Sequence, residues 1–319
     1  MNLKGYRLSE IHMFKMKNVK FLFDVSTLNL YEIDDNCFSF IENLTSEDEK
    51  IEVGDSDLIN SLIEIGILKT SETDTVFEEN KKNFEERQIE INNIVLEMSN
   101  DCNLNCKYCY GDGGTYGRKR EFMSFETAKK AIDMFIKNKA TTRKFGITFF
   151  GGEPLMNFAV MKQIVEYCKG IYERDNIEVS FSMTTNGTIL TDEIYNFIIK
   201  NNIFITISID GDKEIHDSYR KTINGKGSFD IINPNLKRLV NGKARMNARA
   251  TICHTNTEIS YIYEQILNQG FKSIAMSLAD VDRNSELYIT DDDYSTLFEE
   301  HKKIADKYIE AICLIFCCF

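Results

Sequence analysis

Near the start of the chain, apolar residues alternate with polar ones, which is the pattern of half-buried β-strands. Two alternating runs, residues 14–24 and 28–33, flank the turn-like Val25-Ser26-Thr27 and predict a hairpin. Two stretches with the apolar spacing of short helices follow, "DDNCFSFIENL" and "DSDLINSLIEIGIL". Residues 1–75 are therefore predicted to form a small α+β domain of winged-helix type.

The pattern changes twice more along the chain. Residues 76–91, "VFEENKKNFEERQIEI", are rich in charge and predict a linker. Residues 92–312 then alternate strand-like and helix-like segments, which predicts a parallel sheet and an α/β class. Polar candidate residues follow nearly every strand, as on the carboxyl-terminal rim of a barrel, so we expect a partial (β/α)6 barrel. The six strand segments are "IVLEMS", "KFGITFF", "IEVSFSMTT", "IFITISID", "RMNARATIC" and "KSIAMSLAD".

Composition narrows the classes of function. A net charge of -12 disfavours a general nucleic-acid binder and a polybasic membrane anchor. The N-terminus lacks the apolar core of a signal peptide, and no run approaches the roughly 20 apolar residues of a membrane helix. We therefore expect the protein to be in the cytoplasm, where thiols stay reduced. Nine cysteines in that setting indicate metal binding or catalysis.

Three cysteines follow the first barrel strand in "CNLNCKYC": Cys102, Cys106 and Cys109, with the spacing C-x3-C-x2-C. Three thiolates on one loop can hold three irons of a cubane cluster and leave the fourth iron open. Zinc is the main alternative, although no second cysteine pair or nearby histidine supplies a fourth ligand. Unliganded thiols are the remaining interpretation.

The next strand ends in the motif "GGEP". Gly151 and Gly152 permit close backbone approach to a ligand, and Glu153 offers a carboxylate to a cation. An ordinary turn with an exposed acid is the alternative interpretation of this motif alone.

Two later strands also end in polar motifs. "SFSMTTNGT" contains Ser182 and Asn186, and "SIDGDKEIHDSYR" begins at Ser208 and ends at Arg220. A bare Asn-Gly is commonly just a turn, and a lone arginine is commonly a solvated surface residue. Each motif is a weak signal, but all of them occur in order on consecutive strands.

Taken together, these motifs resemble those of the radical S-adenosylmethionine (SAM) enzymes. Their signature is CxxxCxxC with an aromatic residue before the last cysteine, and Tyr108 occupies that place. The resemblance implies a [4Fe-4S] cluster on the three cysteines, with the amino and carboxylate groups of SAM on the open iron. Reductive cleavage of SAM then gives a 5'-deoxyadenosyl radical, which abstracts hydrogen from the substrate.

The resemblance also implies the contacts to SAM. The "GGEP" motif would hold its amino group, Ser182 its ribose and Arg220 its carboxylate. Phe150 stands where some relatives carry glutamine. No residue is identified as the one that takes a proton from the substrate. The complete set of expected cofactor contacts is Tyr108, Gly151, Gly152, Glu153, Ser182, Asn186, Ser208 and Arg220.

The barrel motifs resemble the branch that modifies peptides and proteins. The N-terminal domain resembles the PqqD-type element that binds the leader of a precursor peptide, and residues 12–35 are similar to maturases that form thioether bonds in cysteine-rich peptides. The resemblance implies a leader-bearing precursor peptide and a reductase, such as flavodoxin or ferredoxin, as partners. A maturase of the sulfatase type, which makes formylglycine, and an inactive leader-binding scaffold are the alternatives.

Relatives of this kind continue into a SPASM-type domain with auxiliary iron–sulfur clusters. This sequence stops after "EAICLIFCCF", so residues 313–319 are interpreted as the truncated start of such a region. The scattered Cys37, Cys168 and Cys253 are predicted to be structural.

Overall fold

The computed structural model describes residues 6–16, 19–45, 56–70, 92–138 and 143–317. Two compact units divide the chain, residues 1–89 and residues 90–319. The predicted linker, residues 76–91, lies outside the described residues and stays a prediction.

The first unit combines short antiparallel strands with two helices. Its elements are β1 (Tyr6–Leu8), β2 (Ile11–Met16), β3 (Val19–Asp24), β4 (Asn29–Ile33), α1 (Asp35–Thr45), α2 (Ser56–Glu64) and β5 (Leu68–Thr70). Strands β2, β3 and β4 form one antiparallel sheet, and β1 pairs with β5. The apolar faces meet in one cluster of buried residues: Leu22, Cys37, Ile41, Ile59, Leu62, Ile67 and Leu68.

The first of the two predicted alternating runs is not one strand. It divides into the end of β2 and all of β3, which pair antiparallel with Met16 opposite Val19. Only two residues of sequence separate these strands, and the period-two pattern continues on both sides of them. Alternation alone could therefore not reveal the break.

The predicted turn between β3 and β4 is present and is held by Asp24. This buried carboxylate accepts hydrogen bonds from the hydroxyls of Ser9, Ser26 and Thr27, at 2.8–2.9 Å. Leu28 completes the turn at a φ of 59°.

The second unit is built on a six-stranded parallel sheet, which confirms the predicted α/β fold. The strands are β6 (Asn93–Ser99), β8 (Lys144–Gly151), β9 (Glu178–Thr185), β10 (Phe204–Ser208), β12 (Met246–Ile252) and β13 (Ile274–Leu278). Each of these strands pairs with the one before it, in the order β6-β8-β9-β10-β12-β13. Such an order has no switch point and suits an open barrel.

Helices follow the strands and cover the sheet. They are α3 (Phe125–Asn138), α4 (Phe158–Asp175), α5 (Asp192–Lys200), α6 (Lys213–Tyr219), α7 (Phe229–Asn241), α8 (Ile259–Asn268) and α9 (Asp291–Cys317). Strand residues such as Ile147, Phe149 and Ile207 are buried against them in one large core. Among the helices that the structure describes, none has the length and apolar character needed to cross a membrane.

Two short strands lie outside the main sheet. Strand β7 (Leu104–Cys106) is in the cysteine-containing loop, and β11 (Arg220–Thr222) follows α6. They pair antiparallel, with Cys106 opposite Arg220. This pairing ties the loop after the first barrel strand to the segment after the fourth.

The C-terminal interpretation stays a prediction. The backbone of residues 313–317 continues α9, while residues 318–319 lie outside the described part of the chain. Cys37, Cys168 and Cys253 are free thiols buried in apolar clusters, as expected of structural cysteines.

His216 anchors the segment between β10 and β11. Its Nδ1 accepts a hydrogen bond from the Asp210 backbone N–H at 3.4 Å, and its Nε2 lies 2.9 Å from the Ser228 hydroxyl. Ser228 in turn donates to the Arg220 carbonyl at 2.8 Å. This arrangement suits a neutral ring. Burial, together with the nearby Arg220 cation, lowers the pKa of His216 to about 4.

We predict that His216 makes stability pH-dependent. The unfolded chain binds a proton near the ordinary histidine pKa of 6.5, whereas the folded chain binds it only near 4. Its stabilising contribution is therefore complete above about pH 6.5 and falls as the pH drops toward 4. Relative to His216→Asn, the wild type should lose about 2 kcal/mol between about pH 7.5 and pH 5.

Denaturant unfolding of both proteins at the two pH values measures this effect. The comparison with His216→Asn cancels other titrating groups, such as Glu153, which burial affects in the opposite direction. A free-energy difference between the two proteins that does not change with pH would contradict the prediction.

Candidate functional site

A pocket of about 350 Å³ lies at the carboxyl end of the parallel sheet. Its walls come from the ends of β8, β9, β10, β12 and β13 and from the cysteine loop, residues 101–112. This is the rim on which the sequence predicted the site.

Most of the predicted site residues meet here. Two of them, Glu153 and Ser182, lie outside the lining, and the Ser182 hydroxyl is 2.9 Å from that of Thr148 on the neighbouring strand. The predicted residues that line the pocket are Cys102, Cys106, Cys109, Tyr108, Gly151, Gly152, Asn186, Ser208 and Arg220.

The three loop cysteines are free thiols that face this common space. Burial raises the pKa of Cys102 to about 12 and also raises that of Cys106. A buried thiol therefore keeps its proton at neutral pH unless a metal takes the thiolate. Besides the β7–β11 pairing, the Lys107 N–H donates to the Tyr219 carbonyl at 3.0 Å and holds the loop.

The cysteine loop and the "GGEP" loop pack backbone against backbone. The N–H of Gly152 donates to the Ser99 carbonyl at 2.8 Å, and that of Glu153 to the Asp101 carbonyl at 2.9 Å. Gly114 has a φ of +91°, and a Cβ on it would lie 2.7 Å from the Cα of Gly152. Such an approach is possible only without side chains.

Glu153 is fully buried and joins the "GGEP" loop to the end of β9. Its Oε1 accepts from the Leu155 N–H at 3.0 Å and from the Thr185 hydroxyl at 2.8 Å, while its Oε2 accepts from the Asn186 N–H at 2.8 Å. Burial raises the pKa of Glu153 to about 7, against these hydrogen bonds, which favour the charged form. In this position the carboxylate shapes the pocket wall.

Asn186 links the end of β9 to the cysteine loop. Its Nδ2 lies 2.8 Å from Asn103 Oδ1 and 3.6 Å from Cys102 Sγ. The Thr188 hydroxyl donates to Asn186 Oδ1 at 2.6 Å and accepts from Asn103 Nδ2 at 2.8 Å. The side chain of Asn186 thus orients a cysteine and does not stand free in the pocket.

Arg220 is paired with a buried carboxylate. Its Nε and Nη2 donate to the two oxygens of Asp210, at 2.9 and 3.2 Å, and its guanidinium lies over the Tyr108 ring. The Tyr108 hydroxyl and the Thr251 N–H also donate to Asp210. Burial lowers the pKa of Arg220, but the Asp210 carboxylate outweighs burial, so the net shift is upward.

Sequence reasoning missed several polar residues of the pocket. For β12 the available signal was the alternation in "RMNARATIC". Arg249 and Thr251 alternate with the buried Ala248, Ala250 and Ile252 and line the pocket. Tyr110 lines the pocket but is largely exposed and packs edge-on against an aromatic neighbour, Tyr116. The missed polar residues in the lining are Tyr116, Thr184, Thr185, Arg249, Thr251, Ser277 and Asp280.

Comparisons with known proteins identify the family. The model of the radical SAM superfamily matches residues 96–243. An uncharacterised protein of Methanocaldococcus jannaschii is 33% identical over 219 residues, which cover 67% of this chain and 70% of that protein. The chain belongs to the radical SAM superfamily.

Other radical SAM relatives carry named activities. The cysteine-type anaerobic sulfatase-maturating enzyme of Clostridium novyi is 35% identical over 56% of this chain and 48% of its own length. The radical SAM cyclopropyl synthase TigE of Paramaledivibacter caminithermalis is 28% identical over 63% of this chain and 44% of its own. In both alignments this chain spans less than half of the relative.

Solved structures share the fold at low identity. The structural alignment with native anSMEcpe with bound SAM covers 69% of this chain and 62% of the anSMEcpe chain, at 18% identity and a TM-score of 0.62. The structural alignment with Streptococcus suis SuiB bound to precursor peptide SuiA covers 96% of this chain and 70% of the SuiB chain, at 13% identity and a TM-score of 0.55.

The cofactors of this radical SAM enzyme are a [4Fe-4S] cluster and SAM, and the residues present fit both. Cys102, Cys106 and Cys109 line one pocket, and each thiolate would hold a different iron of the cluster. No three His, Cys, Asp or Glu side chains within the described ranges are arranged to hold a single ion. The pocket lining holds no histidine to complete a zinc site, and its glycines leave backbone open to a ligand.

We predict that Gly114→Ala separates the two loops and lowers cluster content. Both the positive φ and the clash with the Gly152 backbone oppose a Cβ there. Gly113→Ala is the matched control, because Gly113 also has a positive φ, +65°, but no atom lies within 4 Å of its added Cβ.

Iron per chain after anaerobic reconstitution, and thermal unfolding, measure the difference between the two variants. Gly113→Ala should cost only about 1–2 kcal/mol of backbone strain. Equal iron contents in the two variants would show that the loops do not need this contact.

Proposed function

We propose that this radical SAM enzyme modifies a ribosomally made precursor peptide and joins a cysteine sulfur to a carbon of another residue. A leader segment of the precursor would bind residues 1–75, and the modified segment would reach the pocket of the second unit. A reductase such as flavodoxin or ferredoxin would supply the electron that the cluster requires.

The observation that carries the proposal is how far the likeness in fold extends. SuiB, solved with its precursor peptide, covers 96% of this chain, so the likeness includes the first unit. By comparison, anSMEcpe covers 69%. A first unit shared with a peptide-binding relative favours a peptide substrate that is recognised outside the pocket.

The first unit offers a physical means of binding a peptide. Strands β2 and β4 are the edges of its three-stranded sheet, and each has one side that no strand of the described residues pairs. An extended peptide can add to such an edge through main-chain hydrogen bonds, with side-chain pockets supplying specificity. A leader bound in this way would raise the local concentration of the segment to be modified.

In the second unit, the proposed roles of the lining follow from placement. Cys102, Cys106 and Cys109 would hold the cluster, and the backbone of Gly151 and Gly152 would approach SAM. When bound, the cluster and SAM supply one-electron cleavage of SAM and abstraction of a hydrogen atom from the substrate. The protein positions the reactants and keeps water away from them.

The other rim residues would either contact SAM or hold the loops that contact it. Ser208, at the end of β10, would contact SAM directly. Glu153, Asn186 and Asp210 would act indirectly, because their hydrogen bonds hold the loops that carry the other contacts.

A second candidate is oxidation of a cysteine or serine to formylglycine. Its support is the 35% identity with the Clostridium novyi sulfatase-maturating enzyme. A scaffold that binds a leader without turnover is the third candidate.

We predict that the reconstituted, reduced protein cleaves SAM. Under anaerobic conditions with dithionite, it should form 5'-deoxyadenosine, whereas the triple variant Cys102→Ala, Cys106→Ala, Cys109→Ala should form none because it cannot hold the cluster. Chromatography of the nucleoside products measures this. A wild type with a full complement of iron that yields no 5'-deoxyadenosine would favour the scaffold.

The product distinguishes the two reactions. A thioether crosslink removes two hydrogens and keeps the sulfur, whereas formylglycine made from cysteine loses the sulfur, so mass spectrometry of a co-expressed cysteine-containing precursor separates them. Removing residues 1–75 should abolish modification of the precursor while 5'-deoxyadenosine formation continues, which also shows that the remaining chain is folded. Modification that persists without residues 1–75 would contradict leader binding.

A further inference from the structure

Two arginines line the pocket, and they differ in what their side chains contact. Arg220 is 7% exposed, and Asp210 occupies its guanidinium from one side. Arg249 is exposed, and no hydrogen bond or ion pair of its side chain exists among the described residues. Arg249 therefore offers its whole guanidinium to an incoming anion, whereas Arg220 offers only the N–H donors that Asp210 does not use.

The fold holds Arg249 toward the pocket. It lies in β12 between Ala248 and Ala250, which are completely buried in the core, so alternation directs its side chain to the opposite face. Its strand neighbours are Ser208 on one side and Ala275 on the other. Both are small, which leaves the guanidinium accessible from the pocket.

We propose that Arg249 is a carboxylate-binding subsite of this pocket. A guanidinium offers two parallel N–H donors that match the two oxygens of a carboxylate. The carboxylate belongs either to SAM or to an acidic group of the substrate, since both would enter the same space. The inference rests on the proposed function in taking this pocket as the place where SAM and substrate meet.

The acidic residues of the rim do not serve as the partner. Asp280 follows β13 and also lines the pocket, but the described part of the chain contains no ion pair between it and Arg249. Asp210, at the end of β10, is already bound by Arg220, Tyr108 and Thr251.

The first arm of the test measures ligand binding to the cluster-loaded protein. SAM and decarboxylated SAM are titrated while the EPR spectrum of the reduced cluster is followed, in the wild type, Arg249→Gln and Arg249→Lys. If Arg249 binds the carboxylate of SAM, Arg249→Gln weakens SAM binding by about 10- to 100-fold and leaves decarboxylated SAM unchanged. Arg249→Lys keeps the positive charge but lacks the two parallel N–H donors, so its affinity for SAM lies between those of the wild type and Arg249→Gln.

Arg245→Gln is the matched control. Arg245 directly precedes the same strand, carries the same charge and lies by Phe204 outside the pocket lining. It should bind SAM as the wild type does. If it weakens binding as much as Arg249→Gln, the effect is one of general charge and the subsite is refuted.

The second arm addresses the substrate. Phenylglyoxal modifies accessible arginines, and peptide mapping reads its reaction at Arg249. Protection by N-acetylglutamate amide but not by N-acetylglutamine amide, with SAM binding unchanged in Arg249→Gln, assigns the carboxylate to the substrate. If neither SAM nor N-acetylglutamate amide protects Arg249 and Arg249→Gln binds SAM normally, the proposal is overturned.

Failure of the proposed function gives a different result. A wild type that makes no 5'-deoxyadenosine but shows carboxylate-dependent protection of Arg249 refutes turnover and keeps the subsite. A wild type that turns over SAM, in which neither SAM nor N-acetylglutamate amide protects Arg249 and Arg249→Gln binds SAM normally, keeps turnover and refutes the subsite.

Discussion

The carboxylate of Asp210 is the interaction on which the site depends. It is completely buried, and its two oxygens accept from Arg220, Tyr108 and the Thr251 backbone. These donors belong to β11, the cysteine loop and β12, so one charge joins three separate parts of the rim. Removal of either member of the Asp210–Arg220 pair leaves an uncompensated buried charge, which costs several kcal/mol.

Buried polar groups serve the same purpose elsewhere in the rim. Glu153 joins the "GGEP" loop to β9, Asn186 joins β9 to the cysteine loop, and His216 joins the end of β10 to the start of α7. Each group has several hydrogen-bond partners, as burial of a polar group requires. The walls of the pocket are therefore held by two groups of buried hydrogen bonds, one around Glu153 and Asn186 and one around Asp210 and His216.

Sequence reasoning succeeded where spacing carries the information. The strands end close to where the pattern predicted, and the three cysteines and the glycines of "GGEP" lie in one pocket lining, because thiol spacing and backbone freedom are local properties. It gave less information on the surroundings of Arg220 and Arg249. The contact of Arg220 with SAM stays a prediction, and the sequence did not reveal that Asp210 pairs with it. Arg249 looked like an ordinary strand residue, but it lines the pocket. Which carboxylate reaches which arginine depends on tertiary packing, and no local pattern encodes it.

The pairing of β7 with β11 has a consequence for assembly. Tyr108 and Asp210 are 102 residues apart in the chain, and the strand opposite Cys106 begins only at Arg220. Contacts of such long range close a large loop, which costs chain entropy and slows folding. The β11 partner of the cysteine loop is therefore made only after more than two thirds of this chain has been synthesised. The cysteine loop thus takes its final shape only in a chain that already contains the first four barrel strands.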